Sequence, residues 1–337
     1  MSMRIVRRME EWRGHAGAQP GVAVPPAGRQ AGMPVPRTAL AIGNFDGVHA
    51  GHQAILRRVI ESARESGALA TAVTFDPHPL KILRPQHAPS LLSTLEQRLE
   101  WMEKLGLGAV LILPFTPELA QVSAEEFVER ILVGALDTER IFVGRNFRFG
   151  HRHAGDVALL ERLAGRFGFQ VEIMAPVAVD GEIVSSTSVR RAVTEGRMDA
   201  AARLLGRPYS LTGRVVAGTG RGRREVVPTM NLAPEQEVLP ARGVYATETR
   251  IGEAWEASAT NVGVRPTFDG GGMTVETNLL DAAESVKAER IEVRFWKWLR
   301  GEEKFASAEE LKKQIGEDVR QVRGVLRELK SGSAAGV

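Results

Sequence analysis

Thr38-Ala39-Leu40-Ala41-Ile42 is a short apolar run that reads as a buried strand, and a glycine-bearing turn, Gly43-Asn44-Phe45-Asp46-Gly47, follows it. From Gln53 to about Ser66 the apolar positions recur at helical spacing, and Gly67 stands where a helix ends. Ala70 to Phe75 is the next strand. A strand–helix–strand unit is the signature of a parallel sheet. The alternation continues with helices over 95–105, 124–136 and 156–167 and strands over 109–113, 140–143 and 169–174. Two short helices, Ser188–Thr194 and Asp199–Leu205, complete it. Residues 38–206 are therefore expected to form an α/β domain with a doubly wound sheet, whose ligands bind beyond the carboxyl ends of the strands.

After Pro208 the texture changes. Short β-rich runs alternate with Gly and Pro turns: Tyr209–Val216, Gly243–Arg250, Ala254–Val262, Met273–Leu280 and Arg290–Trp298. This predicts a small β-barrel or sandwich over 207–330. Its closing helix runs from Ala308 to about Leu329, with Ser307 and Glu310 as a capping box and Leu311, Ile315, Val319, Val322 and Leu326 on one face. Residues 1–37 read as an N-terminal segment with a Gly/Pro-rich insertion at Gly14–Pro36, and 331–337 as a disordered tail.

Composition narrows the class. The chain has 337 residues, 43% hydrophobic and 25% charged, as an ordinary globular protein does. Its formal net charge of +3 suits anionic ligands. A dense basic stripe is missing; Arg221-Gly222-Arg223-Arg224 is too short to argue for nucleic acid. The absence of cysteine removes disulfides, Cys–zinc sites and thiol catalysis and fits a cytoplasmic setting. No apolar run approaches the roughly 18 residues a membrane span needs, and no membrane partner is expected. A homo-oligomer stays open.

The chemistry concentrates at His49-Ala50-Gly51-His52, where a strand turns into a helix. A helix N-terminus offers free N–H groups and partial positive charge, which make an anion site. Gly47 and Gly51 let the backbone approach a phosphate, and imidazoles there can donate hydrogen bonds to charge building on phosphoryl oxygens. Structural histidines or a metal pair are the alternatives; no Glu follows His49 as in the zinc-protease motif. Asp76 and His78 follow a strand and either face the site or merely build a Pro-bracketed turn. His151 and His153 flank a basic loop and read as solvent-facing.

Gly43-Asn44-Phe45-Asp46-Gly47-Val48-His49-Ala50-Gly51-His52 resembles the signature of the HxGH nucleotidyltransferases, and more narrowly that of the bacterial bifunctional riboflavin kinase/FMN adenylyltransferases. Thr74–Pro79, Val143–Gly150 and Ser185–Arg190 resemble further family segments in order. The resemblance implies attack of the FMN phosphate on the α-phosphorus of ATP, with release of pyrophosphate. It makes His49 and His52 catalytic. It makes Gly43, Asn44, Gly51, Asn146, Ser186, Thr187 and Arg190 nucleotide- or phosphate-binding.

In the second half, Gly218-Thr219-Gly220-Arg221-Gly222 is Gly-rich but lacks the Gly-Lys-Ser/Thr end of a P-loop; a hairpin turn is its bland reading. Thr229 and Asn231, two apart on a strand, share a face and offer oxygen ligands suited to Mg²⁺. These segments resemble a riboflavin kinase module. There Gly218, Gly220 and Gly222 would cover ATP, Thr229 and Asn231 would hold Mg²⁺, and Glu276 would be the catalytic base. Pro240–Ala246, Asn261–Phe268 and Leu299–Phe305 also fit the module. The chain departs from the usual pattern at Val226-Val227, Met230, Asn278 and Ala282–Ala288. Three readings follow: an enzyme taking riboflavin to FMN and FMN to FAD with ATP and Mg²⁺; an FMN adenylyltransferase with a weakened or altered kinase module; and a non-catalytic flavin- or nucleotide-binding regulator.

Overall fold

A computed structural model describes residues 2–7, 9–12, 37–216, 229–264, 273–281 and 288–334. Its contacts divide the chain into two units, Met1–Val184 and Ser185–Val337.

The first unit is built on a six-stranded sheet of order β1-β4-β3-β2-β5-β6: β1 (Arg4–Val6), β2 (Thr38–Ile42), β3 (Leu69–Asp76), β4 (Ala109–Pro114), β5 (Thr138–Gly144) and β6 (Gln170–Met174). Every pairing is parallel. Side chains alternate across a strand, so each central strand feeds two cores. Leu40 and Ile42 pack on one face; Ala39 and Ala41 pack on the other. The first face carries α1 (Met9–Trp12), α6 (Val157–Phe167) and α5 (Ala124–Glu126), which continues as a π-helix over Phe127–Val133. The second carries α2 (Ala50–Ser66) and α4 (Leu95–Lys104). A short α3 (Pro79–Leu83) follows β3, and a small hairpin of β7 (Ala178–Val179) and β8 (Glu182–Ile183) precedes the boundary. Gly67 ends α2 in the left-handed region, φ 72°, where glycine carries no steric penalty.

The doubly wound sheet agrees with the sequence reading, and its edge extends it. Arg4–Val6 lies beside Ala109–Leu111 as the sixth strand, and Val6 and Trp12 are buried. A three-residue run that pairs with a strand about a hundred residues away leaves no local periodicity to read. The expected helix over 124–136 is mostly π-helical. The Gly14–Pro36 stretch lies outside the described residues.

In the second unit, α7 (Ser186–Thr194) and α8 (Met198–Leu205) precede a closed barrel of order β10-β13-β12-β11-β14-β9. Its strands are β9 (Tyr209–Val216), β10 (Thr229–Pro234), β11 (Gly243–Ile251), β12 (Ala254–Val264), β13 (Met273–Leu279) and β14 (Arg290–Arg300). The interior combines Tyr209, Leu211, Tyr245, Val293 and Phe295 with a cluster of fully buried hydroxyls. Thr247, Thr249, Ser258, Thr260 and Thr277 bond one another at 2.8–3.0 Å, which satisfies polar atoms that water cannot reach. The closing helix α9 (Ala308–Ala334) buries Val322 and Leu326 against Ala246 and its neighbours. Ser307 caps it by accepting from Glu310 N at 3.2 Å, while Glu310 reaches back to Ala306 N at 3.0 Å. Arg300 donates twice to the buried Asp318, tying α9 to β14 and raising the guanidinium pKa. Because α8 packs on β14 and β9, the contact boundary falls before α7, earlier than the change of texture after Pro208.

Candidate active sites

In the first unit the chain order reverses between β2 and β5. From β2 the connections run outward through β3 to β4; from β5 they run the other way to β6. This is a topological switch point, where a doubly wound sheet leaves a crevice at the carboxyl ends of its strands. Gly43 and Asn44 follow β2, and Asn146 follows β5 in an exposed turn closed by Phe147 N on Gly144 O at 3.0 Å. The parallel register Ala41↔Phe142 sets the ends of β2 and β5 side by side.

The loop after β2 is held from below. The buried Asp46 carboxylate accepts from Leu92 N at 3.0 Å and from Ser93 N and Oγ at 3.2 and 3.1 Å. Gly47 N donates to Ser93 Oγ at 2.9 Å. The Asn44 carbonyl accepts from Arg98 at 2.9 Å and from Thr74 at 3.4 Å. Arg98 is only 5% exposed and its Nε has no partner among the described residues. Burial pulls its pKa down, against the opposing pull of Asp46, Asp76 and Glu96. These clamps hold two non-glycine residues, Phe45 (φ 49°) and Val48 (φ 37°), in the left-handed region. Such conformations cost about 1–3 kcal/mol each and persist only where the surroundings fix them.

The clamped loop delivers the histidines. His49 is the N-cap of α2, and its Nδ1 accepts from His52 N at 3.3 Å. In a neutral imidazole, acceptance at Nδ1 leaves the proton on Nε2, so His49 presents a donor there. The His49 and His52 rings stack at 3.7 Å between centroids, 15° from parallel, and Phe45 meets His52 edge-on at 5.2 Å. Gly51 packs closely on the ring: a Cβ there would stand 3.2 Å from His49 Nδ1, so the ring would have to give by a few tenths of an ångström. Gly43, Asn44, His49, Gly51 and His52 are thus brought together in one turn. His151 is spoken for by the carbonyl of Ala120 at 2.9 Å, and His153 is exposed.

The remaining phosphate candidates belong to the second unit. Ser185 caps α7 by accepting from Ser188 N at 3.1 Å and forms a reciprocal box with it. Ser186 and Thr187 occupy the first turn of α7, and Arg190 lies one turn on.

On the barrel, strand register assembles the second constellation. Glu276 lies between Asn231 on β10 and Asn261 on β12; Asn278 lies between Thr229 and Ala259. Directly opposed residues share a sheet face, so Thr229, Asn231, Glu276, Asn278 and Asn261 lie on one side. Asn231 is buried, Glu276 half-buried and Thr229 exposed. Among the described residues no group of three or more His, Asp or Glu gathers to cage a metal. The face instead offers a hydroxyl and amide oxygens. One of them, Asn278 Oδ1, is buried with no partner among the described residues. Such a donor set fits a hard cation that keeps water and phosphate ligands. Gly218, Gly220 and Gly222 lie outside the described residues, as do Val226-Val227 and 282–287.

The comparisons with known proteins divide the chain in the same order. The FAD synthetase family model matches residues 34–188 and the riboflavin kinase model residues 205–326. A bifunctional riboflavin kinase/FMN adenylyltransferase from Pseudomonas fluorescens is 42% identical over 84% of this chain and 91% of its own length. The proteins of that name from Haemophilus influenzae and Escherichia coli K12 are each 36% identical over 83% of the chain and 92% and 90% of theirs. The chain belongs to the bifunctional riboflavin kinase/FMN adenylyltransferase family. A solved structure described as a macrolide-efflux protein from Streptococcus pneumoniae has a TM-score of 0.78 at 29% identity, over 86% of this chain and 94% of that one. Among the described residues no helix of this family member is long and apolar enough to cross a membrane.

Sequence reasoning missed the supports of both sites. Ser93 and Arg98 read as ordinary polar residues around a helix start; only the fold brings them under Asn44 and Asp46. On the barrel, a Cβ at Gly263 would overlap Glu302 Oε1 and stand 3.3 Å from Asn261 Nδ2. Glu302 therefore rests over Gly263, beside the row that holds Glu276. Both residues lie in segments that resemble the family, and that was their only signal.

Proposed function

We propose that the chain phosphorylates riboflavin to FMN with ATP and then adenylylates FMN to FAD, releasing pyrophosphate. The observation that carries the reading is the stacked His49/His52 pair at the switch point, with His49 as the N-cap of α2. His49 Nε2–H and the N–H groups at the start of α2 receive phosphoryl oxygens as charge builds on them, while Asn44 and Asn146 contact the nucleotide. Ser186, Thr187 and Arg190 bind phosphate at the start of α7. The FMN phosphate oxygen attacks the α-phosphorus, and the bond to pyrophosphate breaks. No covalent enzyme intermediate is required; positioning and charge stabilisation suffice.

In the kinase reaction Glu276 accepts the proton of the ribityl hydroxyl as its oxygen attacks the γ-phosphorus, and ADP leaves. Thr229 and Asn231 would hold Mg²⁺, which when bound would supply positive charge against the phosphates. Gly218, Gly220 and Gly222, which lie outside the described residues, would cover ATP as the resemblance implies. Neither weakened kinase chemistry nor a purely binding role is favoured by a specific observation, since Glu276, Thr229 and Asn231 share a face. The test is to incubate the pure chain with riboflavin, ATP and Mg²⁺ and separate the flavins. FMN and then FAD should accumulate. Untouched riboflavin would refute the kinase assignment, and FMN left unconverted would refute the adenylyltransferase assignment.

A further inference from the structure

Asn44 is gripped at two points. Its carbonyl is fixed by Arg98 and Thr74, and its side-chain Nδ2, in the amide orientation of the structure, lies 3.0 Å from His78 Nε2. His78 caps α3, and its Nδ1 accepts from Leu80 N at 3.2 Å. A ring nitrogen that accepts an N–H carries no proton, so in the neutral ring the proton sits on Nε2. Nε2 is then a donor, and a donor cannot face the amide's amino group. The amide is therefore read in the reversed orientation, with Oδ1 rather than Nδ2 meeting His78, because hydrogen-bond chemistry decides between two groups of nearly equal shape. We propose that His78 is a positioning residue: as a tautomer-locked cap it takes the Asn44 amide oxygen and so turns the amino group away, toward the nucleotide.

The consequence is a choice of sign at the switch point. With the oxygen held by His78, Asn44 offers N–H donors to a ligand rich in acceptors, the triphosphate of ATP. With the amide reversed, a carbonyl oxygen would meet phosphate oxygens. His49 obeys the same rule at the start of α2, where a helix N–H on Nδ1 fixes the proton on Nε2. His78 thereby acts through Asn44 and need not touch the substrate. The inference rests on the reading that Asn44 contacts the nucleotide, and the experiment separates the two.

First, long-range ¹H–¹⁵N correlation on the full chain labelled at histidine, with His78→Asn to assign the signal, reads the tautomer directly. A protonated Nε2 and bare Nδ1 are expected; a proton on Nδ1 overturns the proposal. Second, kcat/KM for ATP in FMN adenylylation is measured for Asn44→Ala, His78→Asn and the double variant. In the His78→Asn variant the shorter side chain could still cap α3 but would not reach Asn44, so the fold is kept. Each single change should lose roughly 10–100-fold, the worth of one hydrogen bond to a charged group. The double variant should be no worse than Asn44→Ala, whereas multiplied losses would overturn the coupling. An inert Asn44→Ala would instead remove the nucleotide role of Asn44 on which the inference rests.

Discussion

The two candidate sites are built in opposite ways. The adenylyltransferase loop is a turn between a strand and a helix. It is held by a buried polar platform, Asp46–Ser93 and Arg98–Asn44, with two strained residues, Phe45 and Val48, beside the clamps. The kinase face is a row on a barrel, Asn231–Glu276–Asn261, whose geometry follows from strand register alone. A loop site gives up stability to hold its shape, so it should be sensitive to residues that never touch substrate. A register site inherits its shape from the ladder, so its sensitivity should stop at the reacting groups.

The largest effect expected is at a reacting group on the register side. Glu276→Gln keeps the side chain's size and its neighbours but removes the proton acceptor. FMN formation should fall by about 10²–10⁴-fold, the usual worth of general-base help, while FMN supplied directly is still converted to FAD. An unchanged kinase rate would mean that another group takes the proton. On the loop side, His52→Ala should cost FAD formation about 10²–10³-fold, as loss of one preorganised donor does. Riboflavin phosphorylation should be spared. Equal loss of both activities would break the comparison, because the two sites would not be independent.

Arg98→Met sharpens the contrast, since Arg98 supports the loop without belonging to it. Methionine keeps most of the volume and removes the donor to Asn44. The guanidinium is desolvated, which lowers its pKa; taking away a buried charge that lacks a direct ion pair among the described residues need not destabilise the fold. The expected result is a melting temperature within a few degrees of the parent, from roughly 1 kcal/mol or less of net change. The specificity constant for ATP in adenylylation should fall by about ten- to a hundredfold. A collapse in stability with turnover intact would make Arg98 a core residue only.

How much of this could be read from the chain differs between the regions for the same physical reason. Apolar periodicity marked β2, β3, α2 and their successors, because burial of one face leaves a repeating trace in sequence. The spacing of Thr229 and Asn231 also placed both on one face, because a strand alternates. What left no trace was assembly across distance. Arg4–Val6 joins the sheet by pairing with Ala109–Leu111, and neither run says so. Ser93 and Arg98 are polar residues that the fold buries under a turn some fifty residues earlier. Phe45 and Val48 adopt conformations their residue types disfavour, so local preference pointed away from them. The departure at Asn278 was visible as a letter, but only register placed it opposite Thr229.

The smallest effect is the most discriminating test of the register argument. At Gly263 an added Cβ would overlap Glu302 Oε1, the far end of a flexible and exposed side chain. Glu302 can swing away, whereas the register that sets Gly263 opposite Thr274 need not move. Gly263 is buried, but the atom its Cβ meets first is the end of a movable side chain, so Gly263→Ala should change stability by about 1 kcal/mol or less. It should also leave the kinase kcat within about threefold, a barrier difference of only about 0.7 kcal/mol, because the row keeps its register. The corresponding change on the loop, Gly51→Ala, sets its Cβ 3.2 Å from His49 Nδ1 and 3.7 Å from the Val184 carbonyl. There the neighbour that must yield is the capping ring itself. Measured side by side, a silent Gly263→Ala and a damaging Gly51→Ala would show that the barrel site depends on its ladder and the loop site on its clamps. Equal damage at both would mean that Glu302 is fixed by the kinase chemistry, and that the register alone does not make the site.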